Sequence, residues 1–231
     1  MALVKCILNN HEVEYDDSEF EFIKAYDSNR LHYIGDGKNV TNPKGNTSCY
    51  RMFETFKGTE LDLTNFDTNN ITNTSFMFNK CYNLKHLNLS NFNTNNVRDM
   101  SYMFNELKSL EHLNLSSFDT SNVITTECMF CNCINLKTLD ISKIDTENVI
   151  YMEDMFQNCK SLKELDISSF YIDNTKMLDN MFWNCKSLKT LKVSYDCLQF
   201  FLDHRILLEI GNNVNIIPVN NLDKAIEDLF Y

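Results

Sequence analysis

The chain has 231 residues, 43% of them apolar, with only five Gly and two Pro, which suits one folded unit and excludes collagen-like and linker-rich classes. Its net charge of −11 and its four scattered arginines (Arg30, Arg51, Arg98, Arg205) lack the basic surface that nucleic acid or an anionic membrane demands. No stretch reaches the roughly 18 apolar residues of a membrane span, the opening Met1 to Leu8 is too short for a signal peptide, and nine cysteines point to a reducing compartment, so the cytoplasm of the producing cell or of a host is the expected location.

Residues 1–50 read as an N-terminal cap. Within it, residues 4–13 suit a strand or hairpin around Asn9-Asn10, and residues 39–48, with Pro43 and Gly45, suit a loop. Residues 51–194 carry a repeat. Met-Phe pairs begin at Met52, Met77, Met103, Met129, Met155 and Met181, and the last four intervals are each 26 residues. A Leu-x-Leu marker keeps the same step, from Leu61-Asp62-Leu63 through Leu113-Asn114-Leu115 to Leu191-Lys192-Val193. A fixed period of this size means that each repeat is one supersecondary unit whose apolar face is buried by its neighbours in a stack. Residues 195–231 lack the markers and read as a C-terminal cap, with apolar Leu222, Ala225, Ile226 and Leu229 on one face of a terminal helix at 222–230.

Within one coil, Met100, Met103, Phe104 and Leu107 fall at i, i+3, i+4 and i+7, the spacing of a short helix with one buried face. Leu113 and Leu115 then flank a polar residue, the alternation of a short strand. Stacking converts each inward position into a row. The rows are a Phe spine (Phe53, Phe78, Phe104, Phe130, Phe156, Phe182), a Leu row (Leu84, Leu110, Leu136, Leu162, Leu188) and a Cys row (Cys81, Cys133, Cys159, Cys185) in which Leu107 replaces one thiol. A slot that accepts Cys or Leu is an apolar core slot. An Asn row (Asn70, Asn96, Asn122, Asn148, Asn174) is expected to satisfy turn backbone.

With the coil written out, residues 87–104, Leu-Asn-Leu-Ser-Asn-Phe-Asn-Thr-Asn-Asn-Val-Arg-Asp-Met-Ser-Tyr-Met-Phe, resemble the repeat of the BspA-like leucine-rich-repeat proteins, also described as the Mycoplasma-type lipoprotein repeat. That pattern runs Leu-Asp-Leu-Ser-x-Phe-Asp-Thr-Ser-x-Val-Thr-x-Met-x-x-Met-Phe and continues to Cys-x-x-Leu. The resemblance covers residues 52–194, with Thr126 and Thr175 departing from it. It implies an α/β repeat solenoid: a right-handed leucine-rich-repeat-like stack of about six coils, each with a short strand and a short helix, closed by caps. It also implies a binding role in surface adhesion or host interaction, with no catalytic residues to carry over.

Function is therefore sought on the outward positions of the strand row, which differ from coil to coil while the inward ones stay aliphatic. These are His86 and Asn88, His112 and Asn114, Thr138 and Asp140, and Glu164 and Asp166, expected to contact a protein partner. No enzyme is expected, because no coil from 77 to 194 carries an insertion that could build a pocket, and Asp140 beside Asp166 reads as solvated surface. No cofactor or metal is expected either. Cys128, Cys131 and Cys133 lack a fourth ligand at zinc-site spacing, and the column of His86 and His112 also holds Thr138 and Thr190. The Thr column (Thr68, Thr94, Thr120, Thr146) reads as local turn capping. The alternative to a binding module is a structural solenoid that associates end to end.

Overall fold

A two-residue apolar strand cannot stand alone, so each Leu-x-Leu segment pairs with its copy one period away. The described residues of the computed structural model are 3–8, 11–16, 22–24, 31–175, 177–203, 206 and 213–219. Strands β1 (Leu3–Leu8) and β2 (His11–Asp16) form an antiparallel pair, as do β3 (Phe22–Lys24) and β4 (Leu31–Tyr33). The solenoid rungs follow: β5 (Glu60–Leu61), β6 (His86–Leu87), β7 (His112–Asn114), β8 (Thr138–Asp140), β9 (Glu164–Ile167) and β10 (Thr190–Ser194). They pair in parallel with equivalent residues in register, Leu61 with Leu87, Leu113 with Leu139 and Leu165 with Leu191. A second ladder on another side bridges Ser48, Asn73, Asp99, Thr125, Tyr151 and Met177 in turn. The result is a β-solenoid of about six turns.

The short helix expected in each coil is not there. Met100 to Leu107 is a run of turns, because Tyr102 (φ 57°) and Glu106 (φ 60°) are left-handed, and the same holds for Cys128 with Asn132 and Asp154 with Asn158. A left-handed residue every fourth position ends any right-handed helix before it can propagate. The i, i+3 contacts survive as turns, since Met103 donates to the Met100 carbonyl at 3.2 Å. Alternate N–H groups leave the coil. Met100, Tyr102, Phe104 and Glu106 donate to the carbonyls of Thr125, Glu127, Met129 and Cys131 in the next coil, at 2.8 to 3.1 Å. Four such bonds recur at each of five interfaces, and every one runs from a coil to its C-terminal neighbour. A two-turn helix would leave half of its amides and half of its carbonyls without partners, whereas this wall pairs them between coils.

Behind the wall lies the core. The six Phe rings of the spine stack at 5.5 to 5.9 Å with planes within 3 to 7° of parallel. All six are fully buried. At the ends the geometry changes: Tyr33 meets Phe53 tilted by 57°, and Phe201 meets Phe182 edge-on at 82°. An edge-on ring closes a stack, since it offers no parallel face for another ring. Tyr33 is fixed by accepting a hydrogen bond on its hydroxyl from the Gly37 N–H at 2.7 Å. Gly37 has φ 87°, and a Cβ there would come within 2.8 Å of the Glu60 carbonyl oxygen, so glycine is required.

The core thiols do more than fill space. Cys81 donates its S–H to the Phe53 carbonyl at 3.0 Å, Cys133 to Phe104 at 3.0 Å and Cys159 to Phe130 at 3.2 Å, each reaching back one coil. Burial pushes the Cys81 and Cys133 thiols up to about 12, which keeps them protonated and able to donate.

The C-terminal region holds two elements that its composition did not announce. Helix α1 (Tyr195–Asp203) brings Phe201 onto the spine, and β11 (Asn215–Val219) adds a parallel rung on β10. Pro218 lacks an N–H but is tolerated on an outer strand. The helix expected at 222–230 lies outside the described residues, as does the turn at Asn9-Asn10.

Candidate interaction face

Alternation along each rung sends one residue inward and the next outward. His86, Asn88, His112, Asn114, Thr138, Asp140 and Glu164 are exposed, while Asp166 is half-buried. The sequence-selected residues therefore come together on one face. Between them the inward leucines are not all sealed: Leu87 and Leu139 are only partly buried and form an apolar floor. Three grooves open along this face, the first of about 710 Å³ from His112 to Lys192, the second of about 570 Å³ around His86 and His112, and the third of about 390 Å³ between Leu87 and Asp140.

The two outward columns differ in freedom. In the Asn88 column each side chain accepts on Oδ1 the N–H two residues on: Ser90 to Asn88 at 3.1 Å, Ser116 to Asn114 at 2.8 Å, Ser142 to Asp140 at 3.1 Å and Ser168 to Asp166 at 3.0 Å. This Asx turn ends the strand, so these four positions are constrained to Asn or Asp, and the expectation that they vary freely is corrected. The His86 column is unconstrained in this way. There His112 Nδ1 lies 2.7 Å from Thr138 Oγ1, and beside it Lys137 pairs with Glu111 at 2.7 Å. Glu111 is held below the ordinary carboxylate value, chiefly by the hydrogen bond from Lys137.

Away from this face, polar rows hold the coils to one another. The Thr column does not cap its own turns. Thr68, Thr94, Thr120 and Thr146 are buried, and the capping oxygens belong to Asp67, Asn93, Asp119 and Asp145. Each hydroxyl reaches the next coil: Thr120 donates to the Asp145 carbonyl at 2.8 Å and accepts the Asp145 N–H at 2.8 Å. The predicted Asn row is exposed and also bridges coils, as when Asn122 donates to the Asn95 carbonyl at 2.8 Å. A further Asn ladder went unrecognised, because it slips by one residue between Asn105 and Asn132: Asn105 donates to Asn79 at 2.8 Å, Asn132 to Asn105 at 3.3 Å and Asn158 to Asn132 at 2.8 Å.

An acidic column, Glu127, Glu153 and Asp179, stacks in consecutive coils beside Asp154. Burial first, then the neighbouring carboxylates, raises Glu153 above its ordinary value. Tyr102 relieves part of this by donating its hydroxyl to Glu127 at 2.5 Å. Next to it, Cys128 and Cys131 form a disulfide, their Cα atoms brought to 4.7 Å by the tight turn between them. Cys133 remains a free core thiol.

No helix among the described residues is long and apolar enough to cross a membrane. Comparison with curated proteins and with solved structures found no match. A family profile does match, that of the Mycoplasma protein of unknown function, DUF285, over residues 47–139 and again over 113–200. The two matches overlap to cover residues 47–200, well over half of the chain and all the coils from the first Met-Phe turn to β10, and the protein belongs to that family.

Proposed function

We propose that the protein is a non-enzymatic interaction module of the BspA-like leucine-rich-repeat kind, holding a protein partner along the exposed face of β6 to β10. The observation that carries this reading is the coincidence of the grooves with the one outward column whose residues carry no turn-forming duty, His86, His112, Thr138 and Glu164. A surface residue released from packing is where a repeat protein encodes a partner. The half-buried Leu87 and Leu139 supply the apolar contact that a binding patch needs at its centre. The test is capture of partners with the intact chain, followed by the triple variant His112→Ala, Asp140→Asn and Glu164→Gln. Loss of a captured partner at unchanged thermal stability supports the reading, and retention at full affinity removes the strand face from consideration.

A further inference from the structure

Lysines are unevenly treated along this molecule. Cys159-Lys160-Ser161-Leu162-Lys163 and Cys185-Lys186-Ser187-Leu188-Lys189 repeat the same five-residue pattern in adjacent coils. Burial of Cys159, Leu162, Cys185 and Leu188 leaves Lys160, Lys163, Lys186 and Lys189 exposed at equivalent positions. The Lys189 N–H donates to the Lys163 carbonyl at 2.8 Å, so the two copies are backbone neighbours and their ammonium groups start from rungs roughly 4.8 Å apart.

Two of the equivalent lysines in earlier coils are neutralised. Lys108 pairs with Glu106 at 2.9 Å and Lys137 with Glu111 at 2.7 Å. Among the described residues no carboxylate pairs with any lysine of the later quartet. A chain of net charge −11 thus leaves four cations stacked and unpaired in two adjacent coils, although like charges so placed repel. Of the four, Lys163 lines the 710 Å³ groove, together with Ser161, Ser187 and Glu164, and with Asp166, with which Lys192 pairs at 3.6 Å.

Resting on the interaction reading above, we propose that this lysine ridge, which meets the groove at Lys163, seats an extended acidic segment of the protein partner, its carboxylates on Lys160, Lys163, Lys186 and Lys189. Charge complementarity selects an acidic occupant, and the Glu164 carboxylate selects a peptide. An extended peptide sends alternate side chains to opposite sides, so acidic residues face the lysines while neutral ones face Glu164. Nucleic acid and sulfated glycan carry charge on every side and meet the Glu164 carboxylate unfavourably.

The probe is a fluorescein-labelled peptide of about ten residues alternating Glu and Thr, followed by fluorescence anisotropy in about 50 mM salt, where exposed charges are still felt. The expected result is binding that weakens at least about tenfold in the Lys160→Gln, Lys163→Gln, Lys186→Gln, Lys189→Gln variant, and that falls again as salt is raised. The pairs Lys160→Gln with Lys186→Gln, and Lys163→Gln with Lys189→Gln, each lose part of it and guard against misfolding of the quadruple variant. No binding to the intact chain at millimolar peptide overturns the inference. So does unchanged affinity in the quadruple variant, or tighter binding of single-stranded DNA or a sulfated oligosaccharide than of the peptide. A partner that the strand-face triple variant releases and the quadruple lysine variant retains overturns the acidic-peptide inference alone and leaves the proposed function standing.

Discussion

The Met-Phe wall and the strand face are built from the same repeat and treat their residues in opposite ways. On the wall, groups of one coil meet counterparts in a neighbouring coil: alternate backbone N–H to carbonyl, Phe on Phe, Cys on a Phe carbonyl, Asn on Asn. On the strand face the main chain is paired, while the outward side chains bond mostly within their own turn, with His112 to Thr138 and Lys137 to Glu111 crossing between coils. The wall explains why the chain folds as a stack.

The contrast is broken most strongly at the spine. Phe130→Ala removes a ring stacked on both sides, and a cavity there costs about 3 to 5 kcal/mol, read as a lowered midpoint in chemical denaturation. Phe53→Ala costs nearly as much, because Tyr33 closes that end and leaves Phe53 fully buried. A much smaller loss at Phe53 would mean that the first coil is not held by its cap.

The next largest effect is at the hydroxyl clamps. Thr120→Val keeps the shape but leaves the Asp145 N–H and carbonyl without their partner, a loss of about 1 to 3 kcal/mol. Thr120→Ser keeps the hydroxyl and loses less. Equal losses in the two variants would show that the methyl group, not the clamp, matters.

At the acidic column the sign reverses. Glu153 titrates above its ordinary value in the fold, so the folded chain holds that proton more tightly than the unfolded one. The stabilisation is complete below the ordinary carboxylate value and is lost as pH rises through the raised one. Glu153→Gln therefore stabilises the protein at neutral pH by about half a kcal/mol or less, given its partial exposure, and the gain disappears in acid. A thermal melt series against pH reads both. The smallest effect belongs to the strand face, where His112→Ala, Asp140→Asn and Glu164→Gln together shift unfolding by less than about 1 kcal/mol, Asp140→Asn retaining the Oδ1 that caps the turn.

Period, core rows and strand positions were legible in the sequence because stacked copies repeat the same residue at the same step. Phe104, Phe130 and Phe156 declare a spine without any structure. The helix was misread because Met100, Met103, Phe104 and Leu107 satisfy the spacing of a helix and of successive turns equally well, and what separates them is backbone sign at Tyr102 and Glu106, residues with no glycine to mark a left-handed turn. The Asn79 to Asn184 ladder escaped because its members change position between Asn105 and Asn132. Thr120 escaped because a Thr beside an Asp suits a local turn as well as a clamp across coils. On the strand face, residue identity located the outward columns, but only hydrogen bonds to Ser116 and Ser142 separate the column that shapes the turn from the column that is free.

The cross-coil backbone bonds of the Met-Phe turns all run one way, which gives the wall a direction. An α-helix aims its N–H groups toward its own N terminus; here the cross-coil N–H groups of the Met-Phe turns aim toward the C-terminal coils, so the aligned peptide dipoles carry the opposite sense along the chain. Such an array is indifferent to how many units it contains. Removing or inserting one whole period, as from 91 to 116, leaves each donor facing an acceptor, while a fraction of a period sets donors against side chains for the rest of the stack. Length in this architecture changes in whole coils.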